Sequence, residues 1–233
     1  DHIQAHRGRC GRRPGCRAGW VGAGLGRARL ARMSADVSPS EPPTLGPGRG
    51  LPVVSGSSAS RCRIIGVAIP IPDPHGPLLQ SKRAEFNDPL AHAIPAHVTL
   101  LGPTEVTDEG LPGLVSHLAD VASVSEPFDV VLRGTGTFRP VSDVVFVQVA
   151  RGISGCERLE QRIRSGRYGG ELAFPYHPHV TVAHDVADED LDRAFEDLAD
   201  FQVAFPVDAF WLYEQDIDGA WTPVRSFRLA GTR

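Results

Sequence analysis

Residues 94–103 read IPAHVTLLGP, and residues 175–184 read PYHPHVTVAH. The tripeptide His-Val-Thr therefore stands at His97 to Thr99 and again at His179 to Thr181. Each copy lies in a short β-branched run bounded by proline, which is the composition of a strand. Residues two apart in a strand point to the same face. Each copy thus presents an imidazole and a hydroxyl side by side, and two such strands brought together would surround a small space with two of each.

Outside the motifs the chain repeats its order of elements. A strand over "CRIIGVAIPIP" and a short helix with Pro77 in its first turn precede the first motif. Behind it, Leu111, Leu114, Val115, Leu118 and Ala122 have helical spacing, with Thr107 or Asp108 as the expected cap. "FDVVLRGTGTF" and "DVVFVQVA" follow as strands joined by a turn around Pro140 to Asp143. Ile153, Cys156, Leu159 and Ile163 mark the next helix, and the second motif comes after "ELAFPY". Leu191, Ala194, Phe195 and Leu198 then form a helix opened by acidic residues. Two closing strands, "FPVDAFWLYEQ" and "WTPVRSFRLA", are expected to meet at Asp216 to Gly219. Strand, helix, strand, turn, strand follows each motif, and the motif histidines lie 82 residues apart. The pattern indicates an internally duplicated α+β chain in which each copy supplies one motif strand to a central cleft.

Residues 1–60 have neither period. They are dense in Gly, Arg, Pro and Ser, and they hold the single methionine, Met33. A disordered tail is expected there, with residues 1–32 open to the reading that translation starts at Met33. Folding is expected from residue 61 to 233, as one two-lobed domain. Residues 1–32 hold eight arginines and one acid, so the net charge of −4 conceals a remainder at −11. A domain so acidic is unsuited to broad binding of a nucleic-acid backbone, and any phosphate site must be local. No apolar run approaches the roughly 18–20 residues of a membrane helix. Cys10, Cys16, Cys62 and Cys156 form no CxxC pair. They are read as reduced thiols, consistent with a cytoplasmic protein.

A single His-x-Thr in a strand has a plain structural reading, in which the two groups face solvent or satisfy each other. Two copies at matching places in a repeated unit favour chemistry. Imidazole titrates near pH 6.5, so one ring can accept a proton while the other donates one. The hydroxyls are suited to hydrogen-bond phosphoryl oxygens as charge moves in the transition state. Acid, base and hydroxyl donors together make a metal-free site for phosphodiester cleavage. His177, His179 and His184 form an alternative metal trio, but His184 has the opposite strand parity to His179, and a metal leaves the threonines unexplained. His117 and His92 are expected in solvent. "GISGC" around Ser154 misses the GxSxG pattern of a serine hydrolase.

The doubled motif in its repeat resembles the two-histidine (2H) phosphoesterase superfamily, in particular its 2′-5′ RNA ligase-like and RNA 2′,3′-cyclic phosphodiesterase branch. The resemblance spans residues 61–229. It implies a bilobal fold with two antiparallel sheets facing a central cleft, helices outside, and no metal or cofactor. Water would open a 2′,3′-cyclic phosphate to leave a 2′-phosphate. On the family pattern His97 protonates the departing ribose oxygen, His179 activates the water, and Thr99 and Thr181 hold the phosphate; the two histidine roles can be exchanged. Reversal of the step would give 2′-5′ joining. Many members carry a basic residue soon after the second motif, where this chain has Ala183, His184 and Asp185. Arg139 and Tyr176 are the candidates for further substrate contacts, the latter by stacking a base, as Phe174 also could. The expected partners are RNA 2′,3′-cyclic phosphate ends or small cyclic nucleotides, with the protein a monomer. The alternatives are a non-catalytic nucleotide-binding module of the same fold, or a phosphodiesterase for another small cyclic phosphate.

Overall fold

In the computed structural model, which describes residues 61–170 and 172–231, the elements run in the expected order. They are β1 (Cys62–Pro70), α1 (His75–Glu85), β2 (His97–Thr107), α2 (Leu111–Ser123), β3 (Phe128–Thr137) and β4 (Val144–Arg151), followed by α3 (Ile153–Ile163), β5 (His179–His184), α4 (Asp188–Asp197), β6 (Gln202–Val207), β7 (Ala209–Gln215) and β8 (Trp221–Arg228). The expectation for residues 1–60 lies outside the described residues. Eight strands form two four-stranded sheets, ordered β2-β1-β7-β8 and β5-β4-β3-β6, and every described pairing is antiparallel. This is the α+β architecture of the sequence reading.

The helices form where the apolar spacing indicates. Leu114, Leu118, Val121 and Ala122 are buried on α2, and Cys156, Leu159 and Ile163 on α3. Helix α2 is capped by neither expected side chain. Gly110 is its N-cap, and the Thr107 hydroxyl accepts from the Gly110 amide one turn earlier, at 3.1 Å. Asp188, Glu189 and Asp190 fill the first turn of α4, where the exposed amides favour negative charge. Phe195 departs from its expected buried face and is 38% exposed. The free, buried Cys156 is a core thiol as expected. Cys62, half-buried at the start of β1, is disulfide-bonded rather than reduced, which removes the thiol argument for a cytoplasmic location.

One expected strand is two. Residues 205–215 read as continuous, but the chain breaks at Asp208, so β6, which begins at Gln202, pairs with β3 while β7 pairs with β1 in the other sheet. Pro206 lies on an edge strand, where its missing amide costs no ladder bond. The break completes a symmetry between the halves. The first half contributes β1 and β2 to one sheet and β3 to the other; the second contributes β4 and β5 to that other sheet and returns β7 to the first. One apolar cluster spans both sheets, from Ile65 and Val98 to Val147 and Val180. The motif strands β2 and β5 are both edge strands, and they touch each other.

Candidate active site

In β2 the pairs with β1 are His97 to Pro70, Val98 to Ile69 and Thr99 to Ala68. In β5 the pairs with β4 are His179 to Gln148, Val180 to Val147 and Thr181 to Phe146. Both ladders then slip by one residue at the same place, because the next pairs are Leu101 to Val67 and Ala183 to Val145. Leu100 and Val182 are the extra residues, one β-bulge directly after each motif threonine. A bulge bends and re-aims a strand and recurs beside functional sites. Val98 and Val180, 1% and 0% exposed, anchor the motifs in the core, so the histidine and threonine of each motif face the other way.

His97 and His179 are each 8% exposed, and Thr99 and Thr181 are half-buried. The two rings are held alike. His97 Nδ1 lies 2.8 Å from the Pro95 carbonyl, and His179 Nδ1 lies 2.7 Å from the His177 carbonyl. A carbonyl only accepts, so Nδ1 carries the hydrogen in both rings. Nε2 is then the nitrogen that takes or gives a proton. Burial, aided by the charges of Arg83 and His179, pushes the His97 pKa down to about 4 against the pull of the Pro95 carbonyl. His179 stands among rings, with Phe138, Phe146 and His177 centred 5.0, 5.1 and 6.0 Å away.

The remaining candidates divide. The Tyr176 hydroxyl donates to the Thr99 carbonyl at 2.9 Å, and burial raises its pKa well above that of a free phenol. The segment before β5 is thereby tied to β2. Arg139 is engaged by α4, 2.6 Å from Asp192 and 3.7 Å from Asp188. Phe174 is 54% exposed. His92 is exposed as expected, but His117 is not solvated: its Nε2 lies 3.0 Å from the Ile163 carbonyl and its ring rests on Tyr168.

His184 corrects the parity argument made from the sequence. Val144, Phe146 and Gln148 alternate along β4 and pair with His184, Thr181 and His179. The bulge at Val182 therefore returns His184 to the face of the motif. Its Nε2 lies 3.5 Å from the Asp185 carboxylate. Among the described residues, no three His, Cys, Asp or Glu side chains are placed to hold a metal.

Two features escaped the sequence reading. Arg83 on α1 is 4% exposed, and its Nε lies 2.7 Å from the buried Asp88 carboxylate. The only sequence signal was an arginine four residues after the buried Leu79. The second feature, the Phe138–Phe146 ring pair, depends on the β3–β4 register that no single segment contains.

Known proteins agree with this architecture. Proteins named "Putative phosphoesterase" from Bacillus thuringiensis (strain Al Hakam) and Bacillus cereus (strain Q1) are 31% identical to the chain over 144 residues, covering 61% of it and 83% of each relative. The crystal structure of E. coli LigT complexed with 3′-AMP superposes with a TM-score of 0.55 at 20% identity, covering 72% of this chain and 99% of that one. TT0787 of Thermus thermophilus gives 0.54 at 24% identity, covering 73% and 100%. At these identities the likeness to the two structures concerns the fold. Residues 71–219, a span from just after β1 to the β7–β8 turn, match the 2′-5′ RNA ligase superfamily, and the chain belongs to that family.

Proposed function

We propose that the protein is a metal-independent phosphodiesterase that opens 2′,3′-cyclic phosphates of RNA ends or small nucleotides. The observation that carries this reading is the matched seating of the two imidazoles, each held through Nδ1 by the carbonyl two residues earlier. Such a pair commits both Nε2 atoms to proton transfer, one taking a proton from water and the other giving one to the leaving ribose oxygen. Thr99 and Thr181, one step along the same strand faces, hydrogen-bond the phosphoryl oxygens. The names of the Bacillus relatives support phosphoester chemistry, and the 3′-AMP complexed with E. coli LigT supports a nucleotide ligand. The acidic balance of residues 33–233 favours a small or single-stranded substrate over a long duplex.

The test is turnover of nucleoside 2′,3′-cyclic phosphates in the presence of a chelator, with the product identified as the 2′-phosphate. His97→Ala and His179→Ala should each lower kcat/KM by roughly 10²- to 10⁴-fold, the usual worth of one positioned proton transfer. Absence of turnover, or turnover that survives both substitutions, rules the reading out.

A further inference from the structure

The second motif lies at one edge of a sheet whose pairing continues away from it in rows. His179 pairs with Gln148. The β3–β4 ladder passes from Leu132–Val149 to Thr135–Val147, so Arg133 and Gly134 oppose Gln148, and Arg133 in turn pairs with Gln202 of β6. The next row holds Arg151, Val131 and Ala204, and the one after it Asp129 and Pro206. Ala150 is the extra residue of a further bulge, which turns Arg151 to the side of Val131. Val130, Leu132, Val147 and Val149 are buried on the opposite side, so these rows share the face of His179. Gln148, Arg133, Gln202, Arg151 and Ala204 are exposed and Val131 is half-buried, which leaves this part of the face open to solvent.

The charge on this strip runs against that of the chain. Elsewhere carboxylates engage the arginines, as Asp108 does Arg63 and Asp192 does Arg139. Among the described residues Arg133 and Arg151 make no ion pair, although residues 33–233 carry a net charge of −11. Asp129 shares a cavity of about 480 Å³ with Arg151 and Arg158 at the end of the strip and pairs with neither. With strands ~4.8 Å apart and ~3.3 Å per residue, Arg133 stands about 10 Å from His179 across the sheet, and Arg151 about 10 Å from Gln148 along β4. A phosphate seated in the seam between β5 and β2 lies on the other side of His179 from both. The two guanidinium groups are therefore placed for further phosphates, and Val131, Ala204 and Pro206 give a flat apolar floor beside them.

We infer that this face of the sheet is the platform for a strand leading into the site. The substrate is a single-stranded oligonucleotide, with its terminal cyclic phosphate at the motifs and its preceding phosphates held by Arg133 and Arg151. A duplex brings a denser charge to an acidic domain that offers only this narrow basic strip. The inference rests on the phosphodiesterase reading and narrows its substrate to RNA ends rather than free nucleotides.

The full-length chain is assayed on uridine 2′,3′-cyclic phosphate and on a uridine pentanucleotide ending in the same group. The arginines of residues 1–32 are common to every variant, so differences report the strip. Wild type should favour the pentanucleotide in kcat/KM by about tenfold or more, the worth of one charge-assisted contact. Arg133→Gln and Arg151→Gln should each lower that preference and together abolish it. Arg225→Gln, which removes the same charge from β8 of the other sheet, should leave the preference unchanged. Wild type without a preference, or Arg225→Gln lowering it as much as the other two, overturns the inference. Fluorescence anisotropy gives a readout without turnover, using a labelled single-stranded dodecanucleotide of mixed sequence that ends in a 3′-phosphate. The slope of log affinity against log salt should flatten by about 0.7 for each of the two arginines replaced. The same strand annealed to its complement should bind more weakly. An unchanged slope in the double variant, or equal binding of the duplex, overturns the platform. If wild type turns over neither cyclic substrate, the phosphodiesterase reading fails, and the anisotropy series alone decides whether the strip holds a single strand.

Discussion

At the scale of the residue, His97 couples the site to stability. Unfolded, its ring binds a proton below about pH 6.5; folded, it does so only below about pH 4. Between those values the unfolded chain holds more protons, so acidification favours unfolding. The contribution is fully present above pH 6.5 and is lost as the pH falls toward 4, amounting to about 3 kcal/mol at one pKa unit per 1.36 kcal/mol. Urea denaturation of wild type and His97→Gln at pH 7 and pH 4.5 should show a smaller acid loss in the variant; equal losses would mean that His97 is not held neutral. The His/Thr quartet was legible in the sequence because the strand period alone puts a histidine and a threonine two apart on one face. Arg83 was not, because a lysine–arginine pair late in a helix is the ordinary decoration of its C-terminal end, and only burial beside Asp88 distinguishes it.

At the scale of the element, the paired bulges and one glycine set the geometry. Gly136 on β3 pairs with Phe146 on β4, and a Cβ built there would lie 2.6 Å from two atoms of the phenyl ring. The bare backbone is what leaves room for the Phe146 ring beside His179. Gly136→Ala should therefore cost about 1–3 kcal/mol, the usual penalty of overpacking. It should also displace the ring centred 5.1 Å from His179, so turnover of a 2′,3′-cyclic phosphate should fall as well. Unchanged stability and unchanged turnover would show that the ring has room to spare. Helices and most strands were readable from their periods. The bulges were not, since an extra residue exists only relative to a partner strand, and assuming strict alternation through Val182 put His184 on the wrong face. The division of residues 205–215 was equally hidden, because apolar, strand-forming residues flank Asp208 on both sides and nothing in the run shows that they pair in different sheets.

At the scale of the whole molecule, the sequence repeat is not a pair of separable lobes. Each half completes its own sheet with a strand from the other, β3 going one way and β7 the other. The helices cross as well, α1 packing on β5 and α3 on β2. A chain divided between β3 and β4 should yield pieces that are unfolded alone by far-UV circular dichroism and that gain structure when mixed. Cooperative unfolding of either piece by itself would contradict this. The sequence indicated two copies meeting at one central cleft, but not the exchange of strands between them, since pairing order is a property of three dimensions. It also bears on how these molecules meet one another. Open sheet edges recruit other chains, and this fold has four. The outer two, β6 and β8, each carry a proline, Pro206 and Pro223, that cannot donate to an added strand. The inner two are the motif strands, which touch each other, with the Tyr176 hydroxyl already on the Thr99 carbonyl. The seam that holds the imidazoles is thus also where the protein hides its most adhesive backbone from its neighbours.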